Sequence, residues 1–286
     1  MAKKKVAKKT ARKKSVKRTP AAEELDAVER RLNCLPSPKP LADWLLADLD
    51  DAQAGLADAS LLPEECDLRR DWWKINDQGK TGSCVGWAVA DSVLRWHFVN
   101  AGRLPEDESL STRFVWMAAK EIDEHNVGRP ESFIDDAGTS LKAALDVARK
   151  YGCVTESVLP FEGRLYPGTS RAFYISAALF KINMYIRIQS IIEWKRWLVQ
   201  QGPILIRVEV DKTWHNPSNG RLEFYDPFLP GDPRAGGHAA AVVGYTESGD
   251  FIIRNSWGSR WGSDGYAFAS PLYVDRAVSE AFGVFV

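Results

Sequence analysis

The chain has 286 residues, 45% of them hydrophobic and 11 of them tryptophan, which is enough for one large domain or two small ones. The formal net charge of zero hides an asymmetry: residues 1–20 hold ten basic residues and no acid, whereas the rest holds 28 basic and 38 acidic residues. No uncharged apolar run is long enough to span a membrane, and the N terminus lacks the apolar centre of a secretory signal. We therefore expect a cytoplasmic protein without a transmembrane segment.

The basic tail, residues 1–20, has almost no apolar content, so it cannot bury enough surface to fold. We expect a disordered extension. A contact with nucleic acid or with an anionic lipid surface is the main alternative role. No aromatic residue lies between its lysines, which argues against base stacking, and a localisation signal is a third interpretation.

The next segment, residues 21–63, carries two stretches with an apolar pattern, residues 23–32 and 41–49, on either side of a proline-rich break at residues 35–40. This pattern predicts two short helices. The segment precedes the part of the chain that holds the strongest motifs, so we treat it as a separate N-terminal extension.

Cys84 lies where a turn-prone run, residues 77–83, meets an apolar segment, residues 84–98, that is predicted to form a helix. A helix N-terminus presents free N–H groups and a partial positive charge, which favour the thiolate of a cysteine placed there. Gln78 is near enough in sequence for its amide to face the same point. A buried cysteine on a core helix remains the plainer interpretation of Cys84.

Three further helices, a strand and a loop are predicted along the chain. Helices are expected at residues 110–122, with Ser111 or Thr112 at the cap, at 141–151 and at 191–200, then a strand at 202–210 and a long surface loop at 214–237. Cys153 follows the second of these helices and is expected to be a structural thiol. Cys34, Cys66, Cys84 and Cys153 show no clear pairing pattern, which fits a reducing compartment without structural disulfides.

His238 begins a short apolar run that predicts a buried strand. Asn255 directly follows a second predicted strand at residues 251–254. The short turn between them, residues 246–250, predicts an antiparallel hairpin that brings His238 and Asn255 together. A thiol, a histidine that takes its proton and an amide that orients the histidine form a nucleophile triad. A satisfied core histidine is the alternative for His238.

These motifs, in this order, resemble the papain-like cysteine proteases over residues 64–286. The resemblance rests on Gln78-Gly79 before Gly82-Ser83-Cys84, on Gly237-His238-Ala239, and on Asn255-Ser256-Trp257-Gly258 with the glycines and aromatics that follow. His238 and Asn255 come 154 and 171 residues after Cys84, slightly further than in the family's usual spacing. The resemblance implies an α+β fold with a helical half, an antiparallel β half and an active-site cleft between them.

The resemblance also implies a role for each matching residue. Cys84, His238 and Asn255 would be the catalytic triad, and Gln78 would help to hold the oxyanion. Gly138, Gly237 and Trp257 would contact the substrate, Gly138 through its backbone. Residues 21–63 would then be either a short inhibitory propeptide that makes the protein a zymogen, or a permanently packed extension.

Three departures indicate the bacterial branch of the family. Thr81 stands where relatives often have a cysteine, so the usual disulfide of this loop is absent. Val85 and Gly86 separate the nucleophile from Trp87, where relatives commonly have an aromatic residue directly. Gly237, before the histidine, has no side chain that could influence its ionisation. These departures bear on substrate preference more than on the reaction.

We therefore predict a thiol endopeptidase, a monomer by resemblance, that acts on peptides or proteins. No metal or other cofactor is expected, because no two histidines or cysteines have ligand-like spacing and no phosphate-binding glycine fingerprint is present. A non-catalytic peptide- or protein-binding module is one alternative. Thiol-dependent amide transfer or deconjugation on the same triad is another.

Overall fold

The computed structural model describes residues 30–49, 56, 61–124, 137–163, 166–215 and 217–286. The basic tail and the first part of the N-terminal extension lie outside these ranges, as does His125. Within the ranges, no helix has the length and apolar character needed to cross a membrane.

The helical half is built around α1, a continuous helical run over residues 84–100 that begins at Cys84 as predicted. Its middle, Trp87–Leu94, has the wider π-helical geometry, which often occurs at functional sites. Around it lie α2 (Thr112–Ile122), α3 (Leu141–Lys150) and α4 (Ser170–Ala178). Ser111, Ser140 and Thr169 cap these three helices by accepting a backbone N–H with the side-chain oxygen.

The β half is a mostly antiparallel sheet of eight strands. The strands are β2 (Cys66–Asp67), β4 (Met184–Arg187), β5 (Ile204–Val210), β6 (Arg221–Leu222), β7 (Gly236–Tyr245), β8 (Phe251–Arg254), β9 (Tyr266–Ala269) and β10 (Val278–Phe285). They are joined in the order β4-β10-β5-β7-β8-β9-β6, with β2 also paired to β7, and among these paired strands only β6 and β9 are parallel. The helices of this half are α5 (Ile191–Gln200), α6 (Lys212–His215) and α7 (Pro271–Ala277).

The N-terminal extension contains no α-helix where the structure describes it. Residues 23–29 of the first predicted helix lie outside the described residues, and the prediction is wrong for residues 30–32 and for an α-helix over 41–49. Residues 30–32 are irregular, and β1 (Cys34–Leu35) pairs in parallel with β3 (Thr139–Ser140) as a separate two-stranded sheet. Two 3-10 turns, Pro40–Ala42 and Leu46–Asp48, replace the second helix. The prolines at positions 36, 38 and 40 lack a backbone N–H, so the chain is interrupted between β1 and the second turn, as the proline-rich break predicts.

The stretch from Trp214 to Gly237 also differs from the predicted surface loop. Trp214 is fully buried in α6, and a 3-10 turn (Ser218–Gly220) leads into β6, where Leu222 is buried as well. The glycines, prolines and asparagines set the turns of this stretch. Trp214 and Leu222 enter the core, whereas Phe224 and Leu229 are exposed.

A buried ion pair joins the two halves. Arg254, at the end of β8, donates to Asp91 of α1 at 2.9 Å and to the Lys74 carbonyl at 2.6 Å, and its guanidinium lies over the ring of Trp73. Asp91 also accepts from Asn76 at 3.0 Å. Because Arg254 directly precedes Asn255, the pair fixes the end of β8 relative to the helix that begins with Cys84.

Candidate active site

Cys84 is completely buried at the start of α1. Backbone N–H groups of Ala239, Asn33, Val85 and Cys84 itself lie near its sulfur and act to lower the pKa of the thiol. Ala239 follows His238 on β7, so this contact sets the sulfur beside the histidine. The other contact is unexpected, because Asn33 belongs to the N-terminal extension.

His238 and Asn255 are joined by a hydrogen bond between Nε2 and Oδ1 at 2.8 Å. The second ring nitrogen of His238, Nδ1, is buried and has no hydrogen-bond partner. The Ser256 N–H also donates to Asn255 Oδ1 at 2.8 Å, which fixes the amide. An imidazole held at one nitrogen and open at the other, next to a thiol, is suited to take the proton of that thiol.

Gln78 is held by the loop that contains Asn255. Its Oε1 accepts from the Ser256 hydroxyl at 2.7 Å, and its Nε2 donates to the Thr81 carbonyl at 3.0 Å. Its backbone N–H donates to the Ser256 carbonyl at 2.8 Å. A side-chain amide has two N–H groups, so one remains for an oxyanion beside Cys84.

Aromatic rings cover the histidine. The Trp257 ring lies 4.9 Å from that of His238 and the Trp214 ring 5.8 Å, while Trp261 packs against both tryptophans. These rings exclude water from the His238–Asn255 hydrogen bond, which strengthens it. The role of Trp214 is not visible in the sequence, where its proline- and glycine-rich surroundings resemble a surface loop.

The N-terminal extension lies across this site, and two glycines make room for it. A Cβ at Gly138 would stand 2.0 Å from the Asn33 carbonyl oxygen, and one at Gly237 would stand 2.2 Å from the Cys34 oxygen. The Thr139 N–H donates to the same Asn33 oxygen at 3.2 Å. Gly138 and Gly237, both predicted to contact substrate, therefore lie against the chain's own backbone.

Two arginines fix the extension at either side of Cys84. Arg30 donates to Asp77 at 2.5 Å and to the Trp257 carbonyl at 3.4 Å, and its guanidinium lies 5.7 Å from the Trp257 ring. Arg207 of β5, which is buried, donates through Nε to the Cys34 carbonyl at 2.9 Å. The sequence gives no signal for these contacts, since they join residues far apart in the chain.

Burial dominates the ionisation of the candidate pair. It raises the pKa of the Cys84 thiol above its usual value, against the opposing effect of the four N–H groups. It lowers the pKa of His238 to about 4, although the bond to Asn255 acts in the other direction. With the extension in place, both shifts favour the neutral thiol and imidazole over the thiolate–imidazolium pair.

A thiol at a helix N-terminus, a histidine on a facing strand and an asparagine that orients it define a class of thiol-dependent hydrolases with an α+β fold. The family described as papain family cysteine protease matches residues 62–271 of this chain. The chain belongs to the papain family of cysteine proteases.

Relatives in sequence are distant. Cathepsin J of Mus musculus is 26% identical over 220 residues, which cover 72% of this chain and 59% of that protein. An uncharacterized peptidase C1-like protein, L477, of Acanthamoeba polyphaga mimivirus is 26% identical over 216 residues, with 69% and 64% covered. The chain thus spans about three fifths of the length of these relatives. Macrodontain-1 of Ananas macrodontes is 25% identical over 229 residues, 78% and 93% of the two chains.

Solved structures share the fold. Xylellain, a cysteine protease from Xylella fastidiosa, superposes with a TM-score of 0.72 at 22% identity, covering 90% of this chain and 97% of xylellain. Digestive procathepsin L 3 of Tenebrio molitor superposes with a TM-score of 0.63 at 18% identity, covering 92% and 79%. The predicted α+β papain-like architecture is confirmed.

Proposed function

We propose that this protein is a thiol endopeptidase in which Cys84, His238 and Asn255 form the catalytic triad. The observation that supports it most directly is the His238–Asn255 hydrogen bond, which leaves Nδ1 of the histidine open while the adjacent Ala239 N–H contacts the Cys84 sulfur. Peptides or proteins are the substrate class.

In the proposed reaction, His238 takes the proton of Cys84, and the thiolate attacks the carbonyl carbon of a peptide bond. The imidazolium then protonates the leaving amine, which departs and leaves an acyl-enzyme. His238 next removes a proton from water, and the hydroxide releases the acid and regenerates the thiol. Asn255 accepts the other N–H of the ring throughout, so the ring keeps one orientation.

The developing oxyanion would be held by the Cys84 N–H at the start of α1 and by the free N–H of Gln78. Both donors are fixed before substrate arrives: the first by the helix, the second by Ser256 and Thr81. One such donor is typically worth about 3–4 kcal/mol of transition-state stabilisation.

The described form of the molecule is proposed to be latent. The extension occupies the cleft and presents to the Cys84 sulfur the Asn33 N–H, a donor that a thiol cannot attack. This supports the propeptide interpretation of residues 21–63 over the passive extension. The proposed domain bounds are a basic tail over 1–20, the latent segment over 21–63 and the protease domain over 64–286.

Labelling with a peptidyl epoxide, which alkylates reactive thiols, tests the proposal by mass spectrometry. We expect slow labelling of the intact chain at Cys84, and fast labelling once the extension is released by limited proteolysis or self-processing. Cys84→Ala and His238→Ala should abolish it. The partly exposed Cys66 is the internal control, because burial and Asp67 raise its pKa to about 11 and it should stay unlabelled.

Absence of labelling in both the intact and the released form would overturn the protease proposal and favour a peptide-binding module. Labelling without cleavage of plain peptides would favour amide transfer or deconjugation on the same triad. The cytoplasmic location, the monomeric state, the bacterial origin and the partner of the basic tail remain predictions.

A further inference from the structure

The cleft contains a second thiol. Cys34, on β1 of the extension, is 2% exposed and is a free cysteine, as is Cys84. The proposed reaction gives Cys34 no role.

Cys34 lies close to both Cys84 and His238, because its neighbour Asn33 is near the first and its own carbonyl is near the residue that precedes the second. The backbone of the preceding residue, Asn33, packs against Gly138, its N–H lies near the Cys84 sulfur, and consecutive Cα atoms are only about 3.8 Å apart. The Cys34 carbonyl lies against Gly237, the residue before His238, and is fixed there by Arg207. Pairing of β1 with β3 holds the same two residues from the other side.

The two thiols also influence each other's charge. After burial, the proximity of Cys84 is the largest cause of the raised pKa of Cys34. A thiolate at either position therefore disfavours a thiolate at the other, whereas a covalent bond between the sulfurs removes both charges.

The other two cysteines are held elsewhere. The Cys34 thiol has only a long contact with the Leu35 carbonyl, at 4.0 Å, whereas Cys66 donates to the Leu198 carbonyl at 3.6 Å and Cys153 to the carbonyls of Ser111 and Val154 at 3.6 and 3.3 Å. Neither contacts the cleft, so they serve as matched controls.

We propose that Cys34 and Cys84 form a reversible disulfide that locks the extension in the cleft. Formation of the disulfide does not depend on the proposed function. Only its consequence, loss of the catalytic nucleophile, rests on that function. The latent form would then have two states: a reduced one that can open and an oxidised one that cannot.

A small-molecule disulfide is the oxidant. When the extension lifts, the Cys84 thiolate attacks one sulfur of the oxidant, forming a mixed disulfide and releasing one thiolate. As the extension returns, the Cys34 thiolate attacks the Cys84 sulfur and releases the second. The two protein thiols lose two electrons and two protons in total, and the oxidant becomes two thiols. A dithiol reverses both steps.

The test is peptide mapping of the full chain under non-reducing conditions, after incubation with oxidised glutathione. We expect one cross-linked species that joins the peptides containing Cys34 and Cys84. Epoxide labelling of Cys84 should fall at least about tenfold and return after treatment with dithiothreitol. Cys66→Ser and Cys153→Ser should leave the cross-link intact.

Cys34→Ser and Cys34→Ala should replace the cross-link with a glutathione adduct on Cys84; two variants guard against a folding defect in either one. Separate adducts on Cys34 and Cys84 in the unaltered chain, or two free thiols, would overturn the proposal. Mapping needs no activity, so a cross-link in a protein that never labels or cleaves would refute the protease function and leave the disulfide standing.

Discussion

At the Cys84 sulfur, burial and hydrogen bonding act in opposite directions. Four backbone N–H groups favour the thiolate, but complete burial outweighs them and raises the pKa of the thiol. His238 is in a similar position, because its bond to Asn255 favours the imidazolium while burial lowers its pKa to about 4. Entry of water when the extension leaves would weaken the effect of burial on the pKa of both groups. Opening of the cleft would therefore favour formation of the thiolate–imidazolium pair.

Asn255→Ala removes the acceptor that orients His238. We expect kcat/KM on unstructured peptides to fall roughly 10²-fold, within the range that a positioned general base contributes. The pH profile should change as well, because the imidazolium loses a partner. Asn100→Ala, at the exposed end of α1, is the control and should have wild-type activity. An unchanged kcat/KM in Asn255→Ala would contradict the assigned role.

Acid should destabilise the described form through two buried histidines. Burial lowers the pKa of His97 and of His238 to about 4, whereas an unfolded histidine titrates near 6.5. Between these values the unfolded state binds more protons, so the free energy of unfolding decreases as the pH falls from about 6.5 to 4.

Urea unfolding at pH 7 and at pH 4.5 measures this dependence, and His97→Phe isolates one contribution. The variant should lose less stability between the two pH values than the unaltered chain. Equal losses would show that His97 is accessible to protons in the folded state.

At the scale of elements, the nucleophile loop and the asparagine loop form one unit. The Gln78 N–H donates to the Ser256 carbonyl, and the Gly258 N–H donates to the Asn76 carbonyl at 3.1 Å. Cys84 and Asn255 therefore keep their relative positions even though they lie in different halves. The extension is joined to the site by the two-residue β1–β3 pair, and further along the buried Asp43 pairs with Lys142 and Arg187. Opening of the cleft requires the segment over residues 30–35 to leave its contacts, and it need not break the Asp43 pairs.

Gly138→Ala should expel the extension. The added Cβ would overlap the Asn33 carbonyl, and overpacking of this kind costs about 1–3 kcal/mol. Because this cost falls mainly on the closed form, the rate at which iodoacetamide alkylates Cys84 should rise about 5- to 150-fold.

Iodoacetamide is chosen because it does not need the backbone of Gly138 to bind. Ala178→Ser, at an exposed site at the end of α4, should leave the rate unchanged. A rate in Gly138→Ala equal to that of the unaltered chain would mean that the extension does not limit access to the thiol.

For the whole molecule, the contact between the halves depends on a few buried polar groups within a largely apolar interface. Arg254 is fully buried with Asp91, and Arg95 adds a second, longer contact to the same carboxylate at 3.4 Å. A buried pair of this kind contributes little net stability, but removal of one partner leaves an uncompensated charge. Its main effect is to specify one relative position of α1 and β8.

Arg254→Met should lower the free energy of unfolding by about 3–5 kcal/mol, because Asp91 loses its closest cationic partner. The double variant Asp91→Asn/Arg254→Met should recover part of this loss. Arg149→Met, at the exposed pair with Asp146, should cost less than about 1 kcal/mol. Urea unfolding of these three variants and of the single variant Asp91→Asn gives the values, and a double variant as unstable as the sum of the two single changes would show that the two groups are not coupled.

The sequence alone determined the elements that carry the candidate site and the residues proposed for it. The helix that begins at Cys84, the cap at Ser111 and the hairpin that carries His238 and Asn255 all follow from local patterns, because apolar period, capping residues and turns act over a few positions. The order of the motifs was sufficient to identify the family.

Tertiary structure alone decided what occupies the cleft. The apolar pattern over residues 23–32 predicts a helix, but residues 30–35 are not helical, because Gly138, Gly237 and Arg207 offer backbone space and a donor to this segment. The burial of Trp214 has the same origin, since its partners Trp257 and Trp261 come from a later loop. Contacts between distant residues depend on the assembled sheet and helices, and local patterns carry no information about them.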